Sequence, residues 1–197
     1  MDIATEALTP KFTLPGFILA IVGGAIAAGA TGFAYHLIAN KVGVDYIIAL
    51  AAVLGLVVGS VVGLAARIGR MRAAMTVAVI GFVFGVAGYA ARYIFEFNEF
   101  VDSAAQEVGA SREDLLAFLA EVYPPGGVAG YLQIVAEEGF SIGSRGSSNS
   151  DAPIKGGLAW GLLGVEALVA GLVAGATARR AVLKSIAPAT PPAMPAA

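Results

Sequence analysis

Four long apolar runs, joined by short polar links and one long mixed segment, dominate the chain. They cover residues 16–38, 43–66, 73–95 and 156–178. Each exceeds the roughly twenty residues that a helix needs to cross a hydrocarbon core about 30 Å thick, at about 1.5 Å per residue. An open sheet in lipid would leave backbone groups unpaired, so the pattern predicts an all-α membrane protein with four transmembrane helices. The chain then divides into an N-terminal segment (1–15), helices one to three (16–95), a long loop (96–155), helix four with its basic end (156–184) and a Pro/Ala-rich tail (185–197). The tail has the composition of a disordered segment.

The long loop carries its own periodicity. Ser111 followed by Arg112, Glu113 and Asp114 reads as a helix start with Ser111 as N-cap. Leu115, Leu116, Phe118, Leu119 and Val122 continue it as an apolar stripe, and Pro124, Pro125, Gly126 and Gly127 end it. A second amphipathic stretch covers 128–138, with Leu132 and Val135 on one side. Short helices of this kind are expected on the membrane surface or as a cap on the bundle. Residues 143–153 are Gly/Ser-rich and read as a flexible link.

Charge adds an orientation. Arg67, Arg70 and Arg72 lie between helices two and three, and Arg179, Arg180 and Lys184 follow the fourth apolar run. The excess of Lys and Arg places both regions in the cytoplasm. An even number of spans then places both termini there, and puts the Lys41 link and the 96–155 loop outside. Asp2 and Glu6 precede Lys11, so the basic start of a signal peptide is missing. Ala28-Gly29-Ala30 mimics a cleavage site, yet the apolar run continues to Ile38, which predicts a retained helix.

Composition narrows the chemistry. Hydrophobic residues make up 58% and charged residues 13% of the chain, against about 25% charged in soluble domains. The net charge of −2 argues against nucleic acid as a partner. The absence of cysteine excludes disulfides and thiolate chemistry, and a single histidine excludes a multi-histidine metal site. No cofactor is implied.

Every span carries a stripe of small residues: Gly24 and Gly32, then Gly55, Gly59 and Gly63, then Gly81 and Gly85, then Gly171 and Gly175. Such stripes let helix backbones approach closely in lipid, within one chain or between chains. The partners implied are the lipid bilayer and either another membrane protein or a second copy. The stretch from Leu56 to Arg67 also lines up with that from Leu168 to Arg179. This suggests a parallel repeat of two helical hairpins, although any Gly-rich helix ending in Arg would look similar.

The chemistry-bearing residues are few. Glu166 sits about 15 Å into helix four, where an ionisable side chain is expensive and usually faces the bundle interior or a pathway. It is a candidate proton or cation site. The alternative, which the lack of any companion cluster favours, is a structural carboxyl bonded to a backbone carbonyl or a hydroxyl, with Thr31, Ser60, Thr76 and Tyr89 as partners by residue type. His36 and Arg92 fall near the outer ends of helices one and three, with Arg92 spaced to pair with Glu96. They are outer-face candidates, His36 as a pH sensor or an anchor. Gly139-Phe140-Ser141-Ile142-Gly143 matches the nucleophile-elbow pattern, but that pattern needs a sheet and this chain predicts none. No catalytic residue is assigned.

With these residues in hand, the chain resembles a group of uncharacterised bacterial four-helix membrane proteins. The similarity lies in Ala34-Tyr35, the Gly-rich helix two, Arg70-Met71-Arg72, Tyr131-Leu132, Phe140-Ser141-Ile142-Gly143 and the spacing of Trp160 and Glu166. Members often carry a cysteine-containing motif after helix four. This chain has the Pro/Ala-rich stretch there, so no metal role is carried over. The resemblance implies a bacterial inner (cytoplasmic) membrane location and no activity. The function expected from the sequence is that of a non-enzymatic accessory or scaffold subunit of a membrane protein assembly. The alternative is a small oligomeric transporter or channel with Glu166 as its intramembrane proton or cation site. A hydrolase using Ser141 and His36 is a third reading, and it predicts that Ser141→Ala is inactive.

Overall fold

A chain solvated by lipid gains little from hiding apolar side chains, so close backbone approach decides where its helices meet. The computed structural model describes residues 11–42, 48–139 and 154–186. These form α1 (Leu14–Val42), α2 (Ile48–Ile68), α3 (Ala74–Val108), α4 (Arg112–Val122), α5 (Gly127–Glu138) and α6 (Gly157–Ile186). Helices α1, α2, α3 and α6 are long and apolar enough to cross a membrane. Their outward faces carry Ile26, Val79 and Leu172, all exposed, as lipid-facing surfaces do.

Helices α2 and α3 form the centre of the bundle. Both pack against α1 on one side and against α6 on the other, while α1 and α6 make no direct packing contact. A two-fold axis relating the hairpin α1–α2 to the hairpin α3–α6 would make α1 meet α6 as α2 meets α3. The packing therefore lacks the symmetry that the repeated sequence suggests.

Glycines fix the spacing. Gly55, Gly59 and Gly63 of α2 lie against the α6 backbone, and a Cβ on Gly59 would stand 2.3 Å from the Ala174 carbonyl oxygen. Gly81 and Gly85 of α3 press on α6 from their own side, against Ala174 and Ala170. Gly171 and Gly175 of α6 face Phe82 and Ala78 of α3. On the other side of the bundle, Gly32 of α1 meets the Gly88 carbonyl oxygen, and Gly24 lies under the Phe84 ring. Small residues from four helices are thus used within one chain.

The two ends differ. At the end bearing the arginines, Arg70 takes a left-handed conformation with φ 57°. Thr13 there donates to the Gly69 carbonyl at 2.7 Å. At the opposite end, α3 outruns its apolar stretch. The loop expected from residue 96 begins instead at Gly109, because Phe97, Val101 and Ala105 keep a buried stripe at four-residue spacing. Hydropathy marks where lipid ends, not where a helix ends. With 35 residues, α3 is about 52 Å long. Its extension carries a small second core in which Phe97 and Val101 pack with Leu119 of α4 and Ile134 of α5. Ser111 caps α4 by accepting from the Asp114 amide. Arg112 ties α4 back to Asp102 and Asn98 of α3. We call this the capped end.

Candidate functional site

Glu166 is the tenth residue of α6 and is fully buried, with 0% exposure. Its two carboxyl oxygens accept from different helices. Tyr89 of α3 donates to Oε2 at 2.7 Å, and Tyr35 of α1 donates to Oε1 at 3.3 Å. The Tyr89 hydroxyl also lies 2.9 Å from that of Tyr93, where either can be the donor. The backbones of α1 and α6 do not approach closely, and the Tyr35 phenol reaches across to the Glu166 carboxyl. The rings meet edge to face, at 6.1 Å for Tyr35 and Tyr89 and 5.5 Å for Tyr89 and Tyr93.

One face of α3 supplies most of the site. Tyr89, Arg92, Tyr93 and Glu96 recur at three- and four-residue steps, so their side chains share one side of the helix. Arg92 is only 4% exposed. Its Nε donates to Glu96 Oε1 at 2.5 Å. Its guanidinium carbon stands 4.6 Å from the Tyr35 ring centre and 5.0 Å from that of Tyr93. A planar cation between two aromatic faces and beside a carboxylate is matched in charge and in shape.

His36 is also buried, and lies one turn nearer the capped end than Gly32. Its Nε2 is 3.2 Å from Glu99 Oε2, the same oxygen that accepts from Asn40 at 2.9 Å. Its ring lies beside Phe95. His36 therefore belongs to a second polar group, one turn along from Arg92 and Glu96.

The two groups border a cavity of about 610 Å³ at the capped end. Ala39, Arg92, Tyr93, Ile134 and Leu163 are its buried lining. Asn40, Glu99, Ser103 and Glu138 are its exposed lining. Tyr93 thus touches the cavity and Tyr89 at once. Hydroxyl and carboxyl oxygens follow one another in hydrogen-bond contact from Tyr93 through Tyr89 to Glu166 and on to Tyr35.

Of the hydroxyls weighed for Glu166 from the sequence, Tyr89 reaches it. Thr31 and Ser60 instead donate to carbonyls of their own helices, at Ala27 and Leu56. Tyr35, Tyr93, Glu99 and the cavity were not foreseen. The spacing of Tyr89, Arg92, Tyr93 and Glu96 was the available signal. Ser141 lies outside the described residues, so its distance from His36 is not defined. Comparison with protein-family models, with curated proteins and with solved structures finds no match, and the site is read from its own geometry.

Proposed function

We propose that this chain is a small membrane transport protein in which Glu166 is the intramembrane proton or cation site. It lies in a bacterial inner membrane, with the arginine-bearing end cytoplasmic and the capped end outside. One observation carries this reading: a fully buried carboxyl ends a row of tyrosine hydroxyls whose other end belongs to Tyr93, a residue that lines a polar cavity at the capped end. A hydroxyl both donates and accepts, so a row of them passes a proton by reorientation without any heavy atom moving far. The carboxyl is the group in the row that can hold or release the proton. Arg92 and Glu96 stand beside Tyr93 as a matched pair, which keeps the local charge balanced.

The test is voltage-driven proton entry into proteoliposomes, read by an internal pH dye. The wild-type chain admits protons, and Glu166→Gln reduces entry at least about tenfold with helix content and melting behaviour retained. Equal entry in both, or none in the wild type, counts against the reading.

An accessory subunit is the second reading, and one observation favours it. A Cβ on Gly157, Gly161 or Gly164 would meet nothing, and Leu158 and Trp160 beside them are exposed. This leaves a smooth strip on α6 at the capped end for another helix. Purification in mild detergent with mass spectrometry discriminates. A stoichiometric membrane partner supports the accessory role, and a chain that comes alone removes it.

A further inference from the structure

We infer that the capped-end cavity is a binding site for a small organic cation, an ammonium carrying an apolar group. The inference rests on the transport reading only for what happens after binding. The cavity volume of about 610 Å³ lies in the range of sites that hold small-molecule ligands, roughly 300–1,000 Å³. Three carboxylates, Glu96, Glu99 and Glu138, line it against one permanent cation, Arg92. That cation is already committed. It is paired with Glu96 and held between the Tyr35 and Tyr93 rings, so an incoming anion would have to displace a partly buried carboxylate to reach it. The excess of acid therefore lies with Glu99 and Glu138. Glu138 makes no ion pair among the described residues, and both side chains are exposed.

Aromatic rings supply the second element. Tyr93, Phe100 and Tyr131 all line the cavity, and the Phe100 and Tyr131 rings pack tilted at 41° with centroids 5.4 Å apart. Ring faces attract a cation most when water is excluded, and quaternary ammonium groups are what such walls select. Ile134, Val135 and Leu163 complete an apolar wall for the rest of the ligand. Lys155 packs over Gly139 but does not line the cavity. The lining thus favours a cation with an apolar body over a bare metal ion, which would want more oxygen ligands and fewer rings.

The experiment uses the full chain in detergent and three probes of similar size: benzyltrimethylammonium, benzenesulfonate and benzyl alcohol. Calorimetric titration of the wild type is expected to show saturable binding of the ammonium alone. Tyr131→Leu should weaken it about two- to fivefold, as the loss of a ring beside a partly solvated cation does. Glu138→Lys, an exposed change that leaves the fold intact, should abolish it while the melting curve stays the same. Benzenesulfonate binding as tightly as the ammonium, or ammonium binding that is absent or indifferent to Glu138→Lys, overturns the assignment. Binding and proton entry are separate readouts. A chain that binds the ammonium but admits no protons keeps the cavity assignment and loses the transport reading, and the converse result loses only the cavity assignment.

Discussion

A carboxyl buried among apolar helices is stable only if its oxygens are occupied, and here two phenols occupy them unequally. Tyr89 donates at 2.7 Å and Tyr35 at 3.3 Å. Removing a buried hydrogen-bond partner leaves the remaining group unsatisfied, at about 1–3 kcal/mol. Tyr89→Phe is therefore expected to destabilise the bundle by an amount in that range, and Tyr35→Phe by less. Melting of the two variants in one detergent checks the order, and a larger loss for Tyr35→Phe would contradict it. At this scale the sequence was half legible. An acid in an apolar run stands out, so Glu166 was visible. A tyrosine near the end of a run looks like an interface anchor, so Tyr35 was not. Only the packing of α1 across α2 and α3 turns that phenol toward α6.

The apolar runs located the four helices that are long and apolar enough to cross a membrane, and the small-residue stripes showed which faces are smooth, but neither showed which faces meet. Gly59 and Gly161 are both glycines in long helices, and only the first faces a neighbour. A Cβ on Gly59 would stand 2.3 Å from the Ala174 carbonyl oxygen, whereas one on Gly161 would meet nothing. Overpacking a tight contact costs about 1–3 kcal/mol. Gly59→Ala should thus lower stability by that order and loosen the α2–α6 contact, while Gly161→Ala should stay within about 0.5 kcal/mol of wild type. Equal effects would mean that the helices do not meet where the glycines place them. The misjudged end of α3 has a related origin. Its apolar run stops where lipid would, but the buried stripe from Phe97 to Ala105 carries the helix on to support α4 and α5. That extension builds the cavity wall, which is why the cavity was not legible from hydropathy.

For the molecule as a whole, the polar groups are unevenly placed. The arginine turn occupies one end, and the cavity, its lining acids Glu96, Glu99 and Glu138, and the short helices occupy the other. The orientation proposed from the positive-inside rule puts the first end in the cytoplasm. The chain has no cysteine, so single cysteines can be read without background. Ser103→Cys should react with a membrane-impermeant maleimide in intact cells, and Arg180→Cys only after permeabilisation. The reverse pattern would turn the molecule over and make the cavity cytoplasmic.

Proton entry into proteoliposomes, compared among wild type, Glu166→Gln and Tyr93→Phe, tests the tyrosine-linked carboxyl most directly. If the row from the cavity through Tyr93 and Tyr89 to Glu166 carries protons, Glu166→Gln stops entry. Tyr93→Phe, which removes the hydroxyl bonded to Tyr89, slows it severalfold with the fold intact. Entry at the wild-type rate in both variants would mean that the buried carboxyl is a structural fastener and not part of a path.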